Sequence, residues 1–248
     1  MKHFVRWVLI VAVLGGLGLW VSNQRNLGVR EADLDKLFQE SFGPEVYRIL
    51  TENFSAEYDA TFESVLEIIQ NGSGDFDAAF AQGFEMSRGL VATHGQEAMQ
   101  APIEDLRAHL GAYREMITSM ASAPLVCAKL AYNGGGALSP QEAEQLDAQI
   151  FMPPFASTLK LILKGRDAKA VHAPVGPTDI GLTLELWAKQ TELSQATRKV
   201  FEFENWRDPR FCEGWSDYLG FVQQLETPLG ERAVAFWVRA LIGVPAQT

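Results

Sequence analysis

Asp105 and His109 are the first residues in this sequence whose types and spacing suit catalysis. They lie four positions apart, so on a helix they face the same way. A carboxylate in that position can orient an imidazole for acid–base catalysis or for metal binding. A metal would need further ligands, and His94 with Glu97 is the nearest pair. The simpler interpretation is a solvated pair that stabilises its helix, and we expect neither a metal nor another cofactor.

A second set of candidate groups is the acidic cluster at 202–213. Many glycosidases hydrolyse sugars with two carboxylates, one of which is kept protonated in an apolar pocket. Glu204, with Glu202, Asp208 and Glu213 nearby, has the residue types for such a pair. Because 31 residues of the chain are acidic, most clusters of this kind lie on the solvated surface. A hydrolytic site is therefore the alternative hypothesis, with Glu204 as its candidate residue.

Complete catalytic motifs are absent from the sequence. It contains no G-x-S-x-G, H-E-x-x-H, C-x-x-C, P-loop or Rossmann glycine pattern. The nearest approach to a nucleophile elbow, GWSDY at 214–218, lacks the second glycine. His172 lies in a Gly- and Pro-rich segment, where binding residues often gather, but a single histidine is a weak signal.

Aromatic and arginine side chains concentrate around a Pro-containing turn. Tryptophan and arginine are enriched where protein interfaces concentrate their binding energy, and such a turn can leave side chains exposed. The sequence therefore predicts a binding surface formed by Trp206, Arg207, Arg210, Phe211 and Trp215. The alternative is that these aromatic residues belong to the hydrophobic core.

The composition is that of a folded, acidic protein. Of its 248 residues, 47% are hydrophobic and 21% are charged, which is typical of globular chains. The net charge of −10 leaves no cationic surface for phosphate backbones. We therefore expect no nucleic acid among the partners.

The N-terminal segment 4–21, FVRWVLIVAVLGGLGLWV, predicts a transmembrane helix. Eighteen residues form a helix of about 27 Å, close to the thickness of a hydrocarbon core of about 30 Å. Trp7 and Trp20 lie near its ends, where indole rings favour the membrane interface. Only Gly16 and Gly18 offer small residues for a signal-peptide cut, so we favour a retained anchor over a cleaved signal.

The anchor defines the domain organisation and the compartment. The predicted parts are a cytoplasmic tail at 1–3, a signal anchor at 4–21, a polar stalk at 22–30 and an extracytoplasmic domain at 31–248. Lys2 and Arg6 precede most of the span while Arg25 and Arg30 follow it, so the charge bias is slight. A very short tail before a large domain is nevertheless the usual form of a signal anchor. We expect a single-pass protein of the bacterial inner membrane with its domain in the periplasm.

Cys127 and Cys212 are the two cysteines of the chain. In an oxidising compartment they can form a disulfide that closes a loop of about 85 residues. As separate buried thiols they would instead fill the core like small apolar side chains. The sequence leaves both alternatives open.

Apolar residues recur three and four positions apart along most of the chain, which predicts an all-α, bundle-like domain. The clearest stripes begin at Tyr58, Leu106, Trp215 and, after a Thr-Pro helix start at 227, Val234. One region differs, because leucines alternate on both sides of a Gly- and Pro-rich segment. A small β-hairpin at 158–187 is one interpretation, and a single helix over 178–205 is the one we favour.

Two functions from different classes follow. In the first, the anchored domain is a scaffold or adaptor that binds other envelope proteins or itself. In the second, it is a periplasmic hydrolase that cleaves the cell wall or another polymer through a carboxylate pair. The tether, the amphipathic stripes and the missing motifs favour the first.

The topology is directly testable. With alkaline phosphatase fused after Thr248, we expect an active enzyme, because that reporter folds only outside the cytoplasm. A β-galactosidase fusion at the same residue should be inactive. Activity from the β-galactosidase fusion alone would contradict the periplasmic assignment.

Overall fold

The computed structural model describes residues 31–70, 76–133, 142, 148–202 and 204–245, and within these ranges all regular structure is helical. The α-helices are α1 (Glu31–Asn53), α2 (Ser55–Gln70), α3 (Phe76–Ala98), α4 (Ile103–Ser119), α5 (Pro124–Asn133), α6 (Met152–Ala168), α7 (Asp179–Gln190), α8 (Gln195–Glu202), α9 (Phe211–Gln224) and α10 (Pro228–Ile242). Short 3₁₀ turns lie at Met120–Ser122 and Ala148–Phe151. The predicted all-α class is confirmed.

The predicted anchor at 4–21, the tail before it and the stalk after it lie outside the described residues. Among the residues that the structure does describe, no helix combines the length and the apolar character needed to cross a membrane.

Helix α4 lies at the centre of the fold, packed against α6, α9 and α10. Its predicted stripe is buried: Leu106, Leu110, Tyr113 and Ile117 are at most 2% exposed. Met116 is buried as well, because α4 has neighbours on more than one side. This sandwiching explains why α4 carries more apolar surface than a helix at the edge of a bundle needs.

The alternative of a β-hairpin at 158–187 is wrong. Residues 158–168 belong to α6 and residues 179–187 to α7, with an irregular connection between them. The leucine alternation has a packing cause: α6 is packed between α3 and α4, so Leu159 and Leu161 are both buried although they lie on different sides of the helix.

The favoured single helix over 178–205 is also wrong, because the chain leaves helical geometry between α7 and α8. Thr191 is extended, and its hydroxyl donates a hydrogen bond to Asp217, 2.6 Å away. Ser194 then caps α8, since its Oγ accepts from the backbone N–H of Thr197 at 3.1 Å. Hydroxyl side chains of this kind offer the backbone an alternative to helical bonding, and apolar spacing does not reveal it.

The predicted helix start at Thr227 is confirmed. The Thr227 hydroxyl accepts a hydrogen bond from the backbone N–H of Gly230 at 3.1 Å, and Pro228 occupies the first turn of α10. The helix ends at Gly243, whose φ of 87° is available to glycine at little cost.

Helices α3 and α6 approach each other closely at Gly165. A Cβ atom at this position would overlap the backbone carbonyl of Glu97 on α3. The absence of a side chain therefore sets the separation of the two helices.

Gly165→Ala should lower the free energy of unfolding by about 1–3 kcal/mol, because backbone must move to admit the methyl group. Gly181→Ala is the matched control: this helical glycine has nothing within 4 Å of its virtual Cβ, and alanine there should stabilise by about 0.5–1 kcal/mol. Urea unfolding of both variants, followed by circular dichroism at a helical wavelength, measures the difference. Equal effects from both substitutions would refute the close approach.

Candidate functional site

The structure does not pair Asp105 with His109. His109 is 2% exposed, and its Nδ1 lies 3.1 Å from the Ser157 hydroxyl on α6. Burial lowers the pKa of His109 to about 4, so the imidazole is neutral near pH 7. Asp105 is half-buried near the start of the same helix. His109 is thus a hydrogen-bonded core residue that joins α4 to α6.

His94 and Glu97, the other ligand candidates, belong to a separate ion-pair cluster. His94 Nε2 lies 2.9 Å from Glu57 Oε1 on α2, and Arg166 Nε on α6 lies 2.7 Å from Glu97 Oε2. The positive charge of Arg166 within this group disfavours a bound cation. In the described part of the chain, no group of three or more His, Cys, Asp or Glu side chains is arranged to hold a metal.

The remaining chemical candidates have structural partners. Ser216 lies within α9, where its Oγ is 3.0 Å from the Thr118 hydroxyl, so it does not stand on a strand-to-helix elbow. Asp217 accepts hydrogen bonds from Trp187 Nε1 and the Thr191 hydroxyl, both at 2.6 Å. His172 Nε2 donates to the carbonyl of Ala101 at 2.7 Å, which fastens the connection before α7 to the start of α4.

Two of the five predicted binding residues lie in the core. Phe211 is 3% exposed and Trp215 is 2% exposed. These two residues do not lie on the surface as predicted, because α9 packs against α4, α5 and α8. The Trp215 ring, for example, meets the Trp237 ring edge-on at 4.8 Å.

The other three predicted residues are accessible on the turn between α8 and α9. Trp206 is half-buried, and its indole stacks on the ring of Tyr132 with centroids 6.0 Å apart and planes inclined by 15°. The guanidinium of exposed Arg207 lies 4.8 Å from the Trp206 ring centre. We call Tyr132, Trp206, Arg207 and Arg210 the aromatic turn surface.

The acidic residues around this surface are solvated. Glu202, Glu204 and Glu213 are exposed, whereas the protonated acid of a glycosidase needs an apolar pocket. Glu204 has a φ of 51° and accepts a hydrogen bond from the Tyr132 hydroxyl at 3.1 Å. Hydrogen bonds from Arg210 lower the pKa of Asp208 to about 2, which keeps that carboxylate ionised.

A disulfide between Cys127 and Cys212 lies beside the aromatic turn surface. It joins α5 to α9, with the two Cα atoms 6.1 Å apart. Tyr132 follows Cys127 by five residues and Trp206 precedes Cys212 by six, so the covalent link fixes the two segments that form the stack. Tyr132 also meets Phe211 edge-on at 5.9 Å.

Tyr132 is the residue of this surface that sequence reasoning missed. The available signal was its position one to two helical turns after Cys127, combined with the position of Trp206 before Cys212. These positions indicate a contact between Tyr132 and Trp206 only if Cys127 and Cys212 are bonded. The sequence did not decide whether they are.

Neither the protein-family models, nor the curated proteins, nor the solved structures compared with this chain include a match. The aromatic turn surface therefore has to be interpreted from its own contacts and chemistry.

The disulfide supplies a direct test. In the unreduced, unfolded chain, Cys127 and Cys212 should resist alkylation by a thiol reagent, which mass spectrometry detects. Reduction should lower the free energy of unfolding by about 2–4 kcal/mol, because the cross-link restricts the unfolded chain. Full alkylation of both cysteines before reduction would exclude the bond.

Proposed function

We propose that this chain is a membrane-anchored envelope protein whose helical domain binds another envelope protein or a second copy of itself. The proposal rests on the aromatic turn surface, where half-buried Trp206 stacks on Tyr132 and also contacts the guanidinium of Arg207. Residues 4–21 would anchor the protein in the bacterial inner membrane, with the domain in the periplasm.

The geometry of Trp206 suits binding because its side chain is already positioned. A tryptophan that must be ordered by a partner loses conformational freedom on association, whereas one held by two neighbours loses little. Large, rigid aromatic side chains beside arginine are also the groups that interfaces use as energetic anchors. Arg210, exposed and bonded to Asp208 at 2.6 and 2.9 Å, adds a fixed polar group at the rim.

The disulfide supports the proposed compartment. Disulfides persist in oxidising surroundings such as the periplasm and are rare in the bacterial cytosol. Cys127 is fully buried and Cys212 is 7% exposed, so the bond is enclosed by the fold. This agrees with the apolar N-terminal segment, which independently predicts export of the domain.

A hydrolase receives less support from the same surface. Its candidate Glu204 is exposed, and Asp208 is held ionised by Arg210. Its other candidate, His109, is buried against Ser157 instead of being paired with Asp105.

Trp206→Ala should weaken partner capture about thirtyfold, the effect of losing one anchor residue of about 2 kcal/mol. Glu204→Gln is the matched control, because glutamine keeps an acceptor for the Tyr132 hydroxyl and removes only the charge. Crosslinking and co-purification from detergent-solubilised membranes, with circular dichroism to verify the fold, provide the measurement.

Exposed Arg207→Ala is a second variant for the case in which Trp206→Ala fails to fold, and it should also reduce capture. Complementation of cells that lack the protein separates the two functions. If Glu204→Gln fails to complement while Trp206→Ala and Arg207→Ala complement fully, the hydrolase is favoured and the binding surface is rejected.

A further inference from the structure

Four ionisable side chains from three helices, His94 among them, form a cluster away from the aromatic turn surface. Glu57 comes from α2, His94 and Glu97 from α3, and Arg166 from α6. Their side chains are only 17% to 38% exposed. Phe54 covers the cluster, with its ring 5.4 Å from the imidazole and 4.8 Å from the guanidinium carbon. The cluster thus ties α2, α3 and α6 together in a partly desolvated place.

The two ring nitrogens of His94 have different kinds of partner. Nε2 faces Glu57 alone, at 2.9 Å, and a carboxylate requires that this nitrogen carry a proton. Nδ1 lies 3.0 Å from Arg166 Nη2, which only donates, and 3.2 Å from Glu97 Oε2, which only accepts when ionised. Nδ1 therefore cannot satisfy both neighbours in one protonation state.

We propose that His94 is a proton-operated latch between α3 and α6. When the imidazole is neutral, Nε2–H donates to Glu57 and Nδ1 accepts from Arg166. A proton taken up from solvent at Nδ1 turns this nitrogen into a donor, which bonds to Glu97 and expels the N–H of Arg166. The change breaks the only hydrogen bond that runs directly between the His94 and Arg166 side chains.

Protonation of His94 changes the net charge of the cluster. With the imidazole neutral, Glu57, Glu97 and Arg166 sum to −1, and protonation brings the cluster to zero. Among the described contacts of the His94 side chain, the charged groups are Glu57, Glu97 and Arg166, and the ring of Phe54 is apolar. Arg166 retains Glu97 and Phe54 as partners after it leaves His94, so the latch loosens without leaving a buried charge alone.

The effect of the latch should reach the segment after α6. Arg166 lies two residues before the end of that helix. Just beyond it, the Ala170 N–H donates to the carbonyl of Gln100 at 2.8 Å, and His172 Nε2 donates to the carbonyl of Ala101 at 2.7 Å. These bonds fasten the connection to α7 onto the α3–α4 junction. Loosening the end of α6 lowers the protection of the whole segment 166–178.

We do not expect His172 or His109 to cause a pH-dependent change in the protection of this segment. His172 must carry its Nε2 proton to bond a carbonyl, and it keeps that bond when Nδ1 is protonated too. Burial lowers the pKa of His109 to about 4, so it remains neutral at about pH 5.5. The test therefore compares about pH 7.5 with about pH 5.5, an interval over which an ordinary imidazole takes up a proton, and substitution of His94 identifies the group responsible.

Hydrogen–deuterium exchange of the full-length chain at these two pH values tests the proposal, with labelling times scaled for the intrinsic exchange rate. Segment 166–178 should exchange about tenfold faster at the lower pH, the effect of losing one partly buried, charge-assisted hydrogen bond. His94→Gln, which cannot be protonated, should abolish the difference. His172→Gln should preserve it.

Arg166→Gln keeps the proposal testable if His94→Gln does not fold. Without the guanidinium, segment 166–178 should exchange rapidly at both pH values. The proposal is overturned if the wild-type segment shows no pH difference, if His94→Gln retains it, or if Arg166→Gln retains it. A uniform acceleration over all helices at the lower pH would also overturn it, because that result indicates global destabilisation.

Discussion

The burial of α9 is the constraint on which the rest of the structure depends. This one helix contacts α4, α5, α7, α8 and α10. Its Tyr218 hydroxyl lies 2.8 Å from the Thr183 hydroxyl and accepts a hydrogen bond from Trp237 Nε1 at 3.2 Å, so a polar atom in the centre of an aromatic cluster is satisfied from two neighbouring helices. Asp217, one residue earlier, accepts a hydrogen bond from the indole N–H of Trp187 on α7. Aromatic area drives the association, and these bonds fix the mutual orientation of the helices.

The aromatic turn surface follows from that burial. Because Phe211 and Cys212 are drawn inward as the first residues of α9, the turn immediately before them is held at the surface. The disulfide then fixes α5 beside it and brings Tyr132 against Trp206. The proposed binding surface is thereby supported by two packed helices that a disulfide joins. The His94 cluster is independent of this arrangement, because it joins α2, α3 and α6 on other residues.

The helical class and several helix positions could be predicted because apolar spacing and helix starts act locally, as at Leu106–Ile117 and at Thr227. The break at Thr191 could not, since its cause is a hydrogen bond to Asp217, which lies 26 residues further along the chain. The alternating leucines of α6 led to the incorrect β-hairpin alternative for a related reason. A prediction from apolar spacing assumes one buried face, whereas this helix has neighbours on two sides. The residue types of the five predicted binding residues do not distinguish surface positions from core positions. Only packing separates buried Phe211 and Trp215 from accessible Trp206, Arg207 and Arg210.

We propose that the aromatic turn surface faces a protein partner in the cell. Photo-crosslinking tests this most directly, with p-benzoylphenylalanine placed at Arg207 or Arg210 and, as the control, at Lys36 on α1, whose side chain is 74% exposed. We expect a defined adduct in the membrane fraction from both turn positions and none from Lys36, with a mass that distinguishes a second copy of this chain from another envelope protein. Absence of any adduct from the turn positions, or the same adducts from Lys36, would contradict it.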